Sequence, residues 1–243
     1  MPVHSPRCRP SSSSRKAACV ALAVSLAFAM GSACAQQQRS RQVPPPQDTP
    51  YPGTITLQVD ASDTAQGIFR VHETIPVTAG PLTLLYPQWI PGSHSPTGPI
   101  DMLAGLRLSA NGKPIAWKRD EYNVYAFHLD VPAGVATVEA DLQYLSPRTG
   151  GFEMTDRMMD MEWRSMSLYP AGHYSRDITF ASSVKLAPGW KLGTALETAS
   201  QSADTTTFKP VTFNTLVDSP IYAGPYFRRD DLDPGGKVRV YLA

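Results

Sequence analysis

The chain has 243 residues, 22 Lys and Arg against 21 Asp and Glu, and 42% hydrophobic side chains, enough length and apolar content for a sizeable core. This near-neutral balance lacks the basic footprint that a phosphate backbone demands, so nucleic acid is excluded as a partner. The 23 prolines and 17 glycines argue against long helices.

Residues 1–35 read as an export signal. Arg7, Arg9, Arg15 and Lys16 form a basic n-region, Ala17 to Met30 is an unbroken apolar run, and Ala33 and Ala35 give the small-residue pattern that signal peptidase cuts after. The apolar run falls short of the ~20 residues a membrane-spanning helix needs. Cleavage is expected near Ala35, with retention as a lipoprotein acylated at Cys34 as the alternative. Removing the signal leaves 18 basic against 21 acidic residues, a net charge of −3, and takes away Cys8, Cys19 and Cys34, all the cysteines there are. An exported chain without disulfides rests on burial alone and suits a bacterial periplasm.

Residues 36–50, QQQRSRQVPPPQDTP, are polar and proline-rich and read as an extended, disordered linker. A β-rich domain is expected over 51–243. TITLQVD (Thr54 to Asp60) alternates with period two, IFRVHET follows, and LTLLY is a short apolar run of the kind buried strands show. YPQWIPGSHSPTGPID (Tyr86 to Asp101) then crosses between strands; its four prolines fix φ and withhold N–H groups, Trp89 anchors it and Gly92 gives room to turn.

Asn111-Gly112 between apolar segments predicts a type I′ hairpin. Tyr122 to Asp130 and Val135 to Leu145, joined by PAG, predict a second hairpin. MEWRSMSLY, DITFASSVKL, TTTFKPVTF and KVRVYL continue as strands, and only TDRMMDMEW hints at a helical turn. The expected fold is all-β, antiparallel, sandwich-like with two packed sheets and very little helix.

Catalytic constellations are sought in vain. His72-Glu73 opens an H-E-x-x-H zinc motif, but Pro76 stands where the second histidine belongs, and a strand would splay the two side chains to opposite faces. His72, His94, His128 and His173 occur singly, as surface or hydrogen-bonded structural residues do. Ser93, His94 and Asp101 lack the G-x-S-x-G elbow that exposes a serine nucleophile. DPGGK lacks the spacing of a phosphate loop. Asp156, Asp160 and Glu162 could form a glycosidase-like pair, although a solvated face accounts for them more simply.

LLYPQWIPGSHSPTGPIDMLAGL, LYPAGHYSRDITF, GWKLGTAL and TLVDSPIYAGPYF, in that order, resemble the N-terminal domain of the glycyl aminopeptidases, metallopeptidase family sixty-one. The resemblance covers nearly all of Tyr51 to Ala243 and departs from the family at His94, where an aromatic residue often follows P-G-S. It implies a saddle-like β domain of an exported, PDZ-containing gluzincin peptidase. The zinc, its H-E-x-x-H helix and the rest of the catalytic domain are expected downstream, outside this chain, which is then inactive alone. KVRVYLA ends in an unprotected strand-like alternation, as a fragment would. Trp89, His94, Tyr169 and Asp218 are the candidates for a substrate-cleft wall, with no catalytic or metal-binding residue in the chain. The competing expectation is a free-standing exported module that binds peptide or carbohydrate, with Trp89, Trp117, Trp163 and Trp190 as a stacking platform.

Overall fold

The structure, a computed structural model, describes residues 42–89, 94–147 and 154–242. The export signal, Cys34, Gly92 and Ser93 lie outside these residues. In chain order the strands are β1 (Thr54–Ala61), β2 (Ile68–Pro76), β3 (Gly80–Leu85), β4 (Leu103–Ala110), β5 (Lys113–Ile115), β6 (Trp117–Arg119), β7 (Ala126–Val131), β8 (Thr137–Leu145), β9 (Met159–Met161) and β10 (Tyr169–Pro170). After these come β11 (Thr179–Leu186), β12 (Lys191–Gly193), β13 (Thr198–Ser202), β14 (Thr205–Phe208) and β15 (Val211–Thr212). A five-residue helix, α1 (Phe213–Val217), precedes β16 (Ile221–Gly224), β17 (Arg228–Asp231) and β18 (Arg239–Leu242). The protein is all-β with little helix, and no helix among the described residues is long and apolar enough to cross a membrane.

A nine-stranded sheet runs β13-β14-β11-β1-β2-β8-β4-β5, with β15 also on β11. A four-stranded sheet, β10-β3-β7-β6, and a three-stranded one, β12-β16-β9, supply the other side of the core, and β17 pairs with β18. Strict alternation explains why the large sheet has one dry face. In β2 the burial pattern puts Phe69, Val71, Glu73 and Ile75 inward and Arg70, His72 and Thr74 outward. Ile55, Leu57 and Val59 of β1, and Val138, Ala140, Leu142 and Tyr144 of β8, join the same core cluster as Leu84, Phe127, Met161 and Trp163. Burial of the Val, Leu, Ile, Phe and Met side chains among these contributes on the order of 1.5–3 kcal/mol each.

Two expectations need correction. The second predicted hairpin does not form: β7 and β8 are consecutive but lie in different sheets, β7 beside β3 and β6 and β8 between β2 and β4. The reason is burial, because β7 is buried at five of six positions and so belongs between two neighbours inside a layer. β1 and β11 pair in parallel, a departure from an antiparallel sheet that a long connection between them permits. The Asn111-Gly112 turn is as expected, with φ of 50° and 72° between β4 and β5.

Gly98 is the glycine that the proline-rich crossing requires. A Cβ there would stand 1.9 Å from the Pro87 carbonyl oxygen, and its N–H donates to Gln88 O at 3.1 Å. Gly98→Ala is therefore expected to push the 86–101 crossing off its seat and cost about 1–3 kcal/mol. Urea denaturation with backbone chemical shifts checks this; shifts unchanged around Gln88 and Gly98 would contradict it.

Candidate functional site

A short 3-10 turn, Trp163–Met166, ties together the segments that carry the sequence-derived candidates. Trp163 is fully buried, donates from Nε1 to Ser219 O at 3.0 Å, and meets Phe208 edge-on at 6.0 Å. Tyr86, also fully buried, donates to Ser165 O at 3.1 Å and so seats the start of the proline-rich crossing. Ser167 closes the turn by donating to Trp163 O at 2.9 Å. Leu168 N donates to both oxygens of Glu73, at 3.2 and 3.0 Å.

The four predicted residues occupy this neighbourhood in different ways. Trp89 is 64% exposed, two residues beyond Pro87. His94 is exposed. Downstream of it, Tyr125 OH donates to Pro96 O (3.2 Å) and Gly98 O (3.1 Å), clamping the crossing to the loop before β7. Tyr169 lies opposite Leu85 in β10, its ring 5.2 Å from Phe213 of α1, and burial pushes its phenol up. Asp218 is exposed at the C-terminal cap of α1, beside the Ser219 that Trp163 holds. Thus Tyr169 packs against the start of α1 and Asp218 caps its end, whereas Trp89 and His94 belong to the crossing.

Asp160 and Glu162, which the sequence offers as a glycosidase-like pair or more simply as a solvated face, sit in a more pointed setting. In β9 the alternation turns Met159 and Met161 inward and Asp160 outward, directly across from Tyr222 of β16. Arg164 Nη1 sits 3.2 Å from Glu162 Oε2, with both side chains half-buried. Asp160 Oδ1 and Arg164 Nε are buried atoms with no hydrogen-bond partner among the described residues. Burial raises the Asp160 carboxyl, Arg164 only partly offsetting it; burial likewise raises Glu162, with Asp160 adding to the effect. Tyr222 is raised first by the charge on Asp160. Two half-buried carboxylates facing one guanidinium leave net negative charge, suited to an incoming cation such as an ammonium group.

Other constellations are structural. His128 bridges Thr83 Oγ1 (2.9 Å from Nδ1) and Asp120 Oδ2 (2.8 Å from Nε2), a triad in outline only. Asp120 is an acceptor, so His128 donates to it from Nε2. Thr83 is 6% exposed and paired within β3, out of reach of any substrate. The His128 bond and the N–H groups of Asn123 and Tyr122 hold the Asp120 carboxyl down at about 2. His72 and Glu73 point to opposite faces of β2, as a strand requires, with His72 between Asp141 and Glu139 and Glu73 in the core. His173 is bonded to Thr49 O at 3.0 Å. No three His, Cys, Asp or Glu side chains converge on a metal position among the described residues. The tryptophan platform does not form, because Trp163 is in the core and Trp117 turns its ring edge-on to Phe127.

Fold and site together define a layered β domain with a half-buried anionic edge. Residues 56–225 match the Peptidase M61 N-terminal domain, and the chain belongs to that family. An aminopeptidase N family protein from Idiomarina loihiensis is similar in fold, with a TM-score of 0.65 at 18% identity over 77% of this chain and 32% of that one. An M1 zinc metallopeptidase from Deinococcus radiodurans gives a TM-score of 0.42 at 15% identity over 84% of this chain and 47% of that one. The chain thus spans about a third to about a half of the length of these structures. No curated protein matches it.

Proposed function

We propose that this chain is the non-catalytic N-terminal domain of an exported, glycyl-aminopeptidase-like zinc peptidase, serving as scaffold and as one wall of the substrate cleft. The match over residues 56–225 carries the reading. Zinc belongs, on this reading, to a downstream catalytic domain. Zinc-activated water would supply the hydrolysis there. This domain's part is to bind and orient: Asp160 and Glu162 attract the substrate's ammonium group, while Trp89, His94, Tyr169 and Asp218 border its approach. Export follows from the basic n-region and apolar run of residues 1–35, with cleavage near Ala35 into the periplasm.

The test uses the parent enzyme that joins this domain to an H-E-x-x-H domain. Asp160→Asn removes a charge that burial already disfavours, so folding should be preserved. The expected result is a KM for glycyl substrates raised about 3–10-fold with kcat nearly unchanged, the signature of lost uniform binding. Trp89→Ala should move KM in the same direction. Unchanged kinetics in both variants would remove the cleft wall, and zinc-dependent peptide cleavage by the present chain alone would overturn the whole reading.

A further inference from the structure

The proline-rich stretch that precedes β1 lies against the loop joining β10 to β11. That loop is held at both ends, by Ala171 N donating to Thr83 O at 2.9 Å and Phe213 N donating to Ile178 O at 2.8 Å. Gly172, at a φ of 94°, presents its carbonyl to the stretch. Gln47 N donates to that carbonyl at 3.1 Å, and Gln47 and His173 form a parallel bridge. Two residues on, Thr49 O accepts from His173 Nδ1 at 3.0 Å. Between them Asp48 Oδ1 accepts from Arg176 Nη2 at 2.8 Å, the guanidinium lying 4.1 Å over the Tyr174 ring.

These contacts read an extended peptide, because residues two apart in a strand turn their N–H and C=O groups to the same edge. The middle residue brings a carboxylate to the fork of an arginine that stacking holds in place. Pro44, Pro45 and Pro46 come before it, with φ preset and no N–H groups to leave unpaired, as a stiff extended lead-in. Residues 44–50 are all exposed, the Asp48 side chain to 78%. One exposed ion pair and two backbone hydrogen bonds add little against the entropy of ordering a free peptide. The seat is kept by attachment to Tyr51, whose hydroxyl donates to Pro76 O and whose N donates to Asp177 O at 2.9 Å. Its ring also stands edge-on to His173 at 5.2 Å. So tethered, the stretch faces the loop at an effective concentration in the mM range.

From this we infer that the β10–β11 loop is a binding site for an extended peptide carrying a proline run and, two residues after it, a carboxylate. Residues 44–49 are its resident, displaceable occupant. Backbone contacts through Gly172 and His173 set the extended conformation, and Arg176 selects the acid. The site stands or falls independently of the peptidase reading.

The probe is the labelled synthetic peptide QVPPPQDTP, residues 42–50. Its receptor is the whole chain with residues 43–50 replaced by alternating Gly and Ser. Fluorescence anisotropy should show saturable binding with Kd of about 1 mM or tighter, and the backbone shifts of Gly172, His173 and Arg176 should move. The unaltered chain, its site already filled, should bind the peptide ~5-fold more weakly. Asp48→Ala in the peptide should weaken binding ~3-fold, the size of an exposed ion pair. Absence of saturable binding overturns the proposal, as does equal binding of a scrambled peptide or equal affinity of the two chains. A second measurement leaves the stretch in place. Arg176→Ala in the otherwise unaltered chain should speed hydrogen exchange at the Gln47 amide ~3-fold or more, with the melting temperature unchanged. Exchange at the parent's rate in that variant overturns the proposal as well.

Discussion

Trp163→Ala is expected to be the most damaging single truncation in the domain, costing about 3–5 kcal/mol. A domain's whole stability is about 5–15 kcal/mol, so the variant should populate the unfolded state under mild conditions. Three losses combine. Among the described residues, the largest fully buried side chain disappears from the meeting point of the sheets, its edge contact with Phe208 goes, and Ser219 O keeps Thr194 Oγ1 at 3.3 Å as its side-chain donor. Trp163→Phe separates these contributions, since it retains most of the apolar volume and removes only the Nε1–H donor. Its cost should be about 0.5–1.5 kcal/mol. Urea denaturation should give midpoints in the order parent, Trp163→Phe, Trp163→Ala at an unchanged m value. A Trp163→Ala variant within 1 kcal/mol of the parent would show that the turn is not what joins the crossing to α1.

This dependence on one turn also explains what could and could not be read from the sequence. β1, β2, β8 and β11 are long, period-two and one face wet, so their existence and inward residues follow from alternation alone. Asn111-Gly112 was legible because positive φ restricts the choice of residue. Segments governed by tertiary partners were not legible. MEWRSMSLY reads as a strand, yet β9 ends at Met161 and the chain turns at Trp163, since Nε1 and the Ser165 carbonyl have partners far away in sequence. α1 is too short for a helical period; its signal was Thr212, whose hydroxyl accepts from Thr215 N at 3.3 Å, with Phe213 and Leu216 three apart. Asp160 and Glu162 looked solvated because exposure of a short edge strand depends on what packs beside it, here β16. For His72-Glu73, alternation foretold the splay, but nothing local foretold that Glu73 would be completely buried.

That burial sets up the second large effect. Glu73 is 0% exposed among Val71, Ile75 and the strap at Leu168, and burial pushes its carboxyl well above 4.5, the Leu168 N–H offsetting only part. The folded protein therefore holds a proton that the unfolded chain has released. Below the unfolded-state value of 4.5 both states are protonated and Glu73 contributes no pH dependence. As pH rises from there toward the folded-state value, the unfolded chain binds fewer protons and stability falls, by up to about 1.4 kcal/mol per pH unit. Glu73→Gln keeps a carbonyl oxygen for Leu168 N and carries no charge. Its unfolding midpoint should exceed the parent's at pH 8, and the advantage should vanish by pH 4. Glu73→Ala should be destabilised at both, because it leaves the Leu168 N–H unpaired, at about 1–3 kcal/mol, and opens a cavity as well. Chemical denaturation of the three proteins across this range decides the matter. A parent and a Glu73→Gln variant with parallel stability profiles would mean that Glu73 ionises freely, and that the strap carrying Trp163 is not pinned to the sheet through a neutral carboxyl.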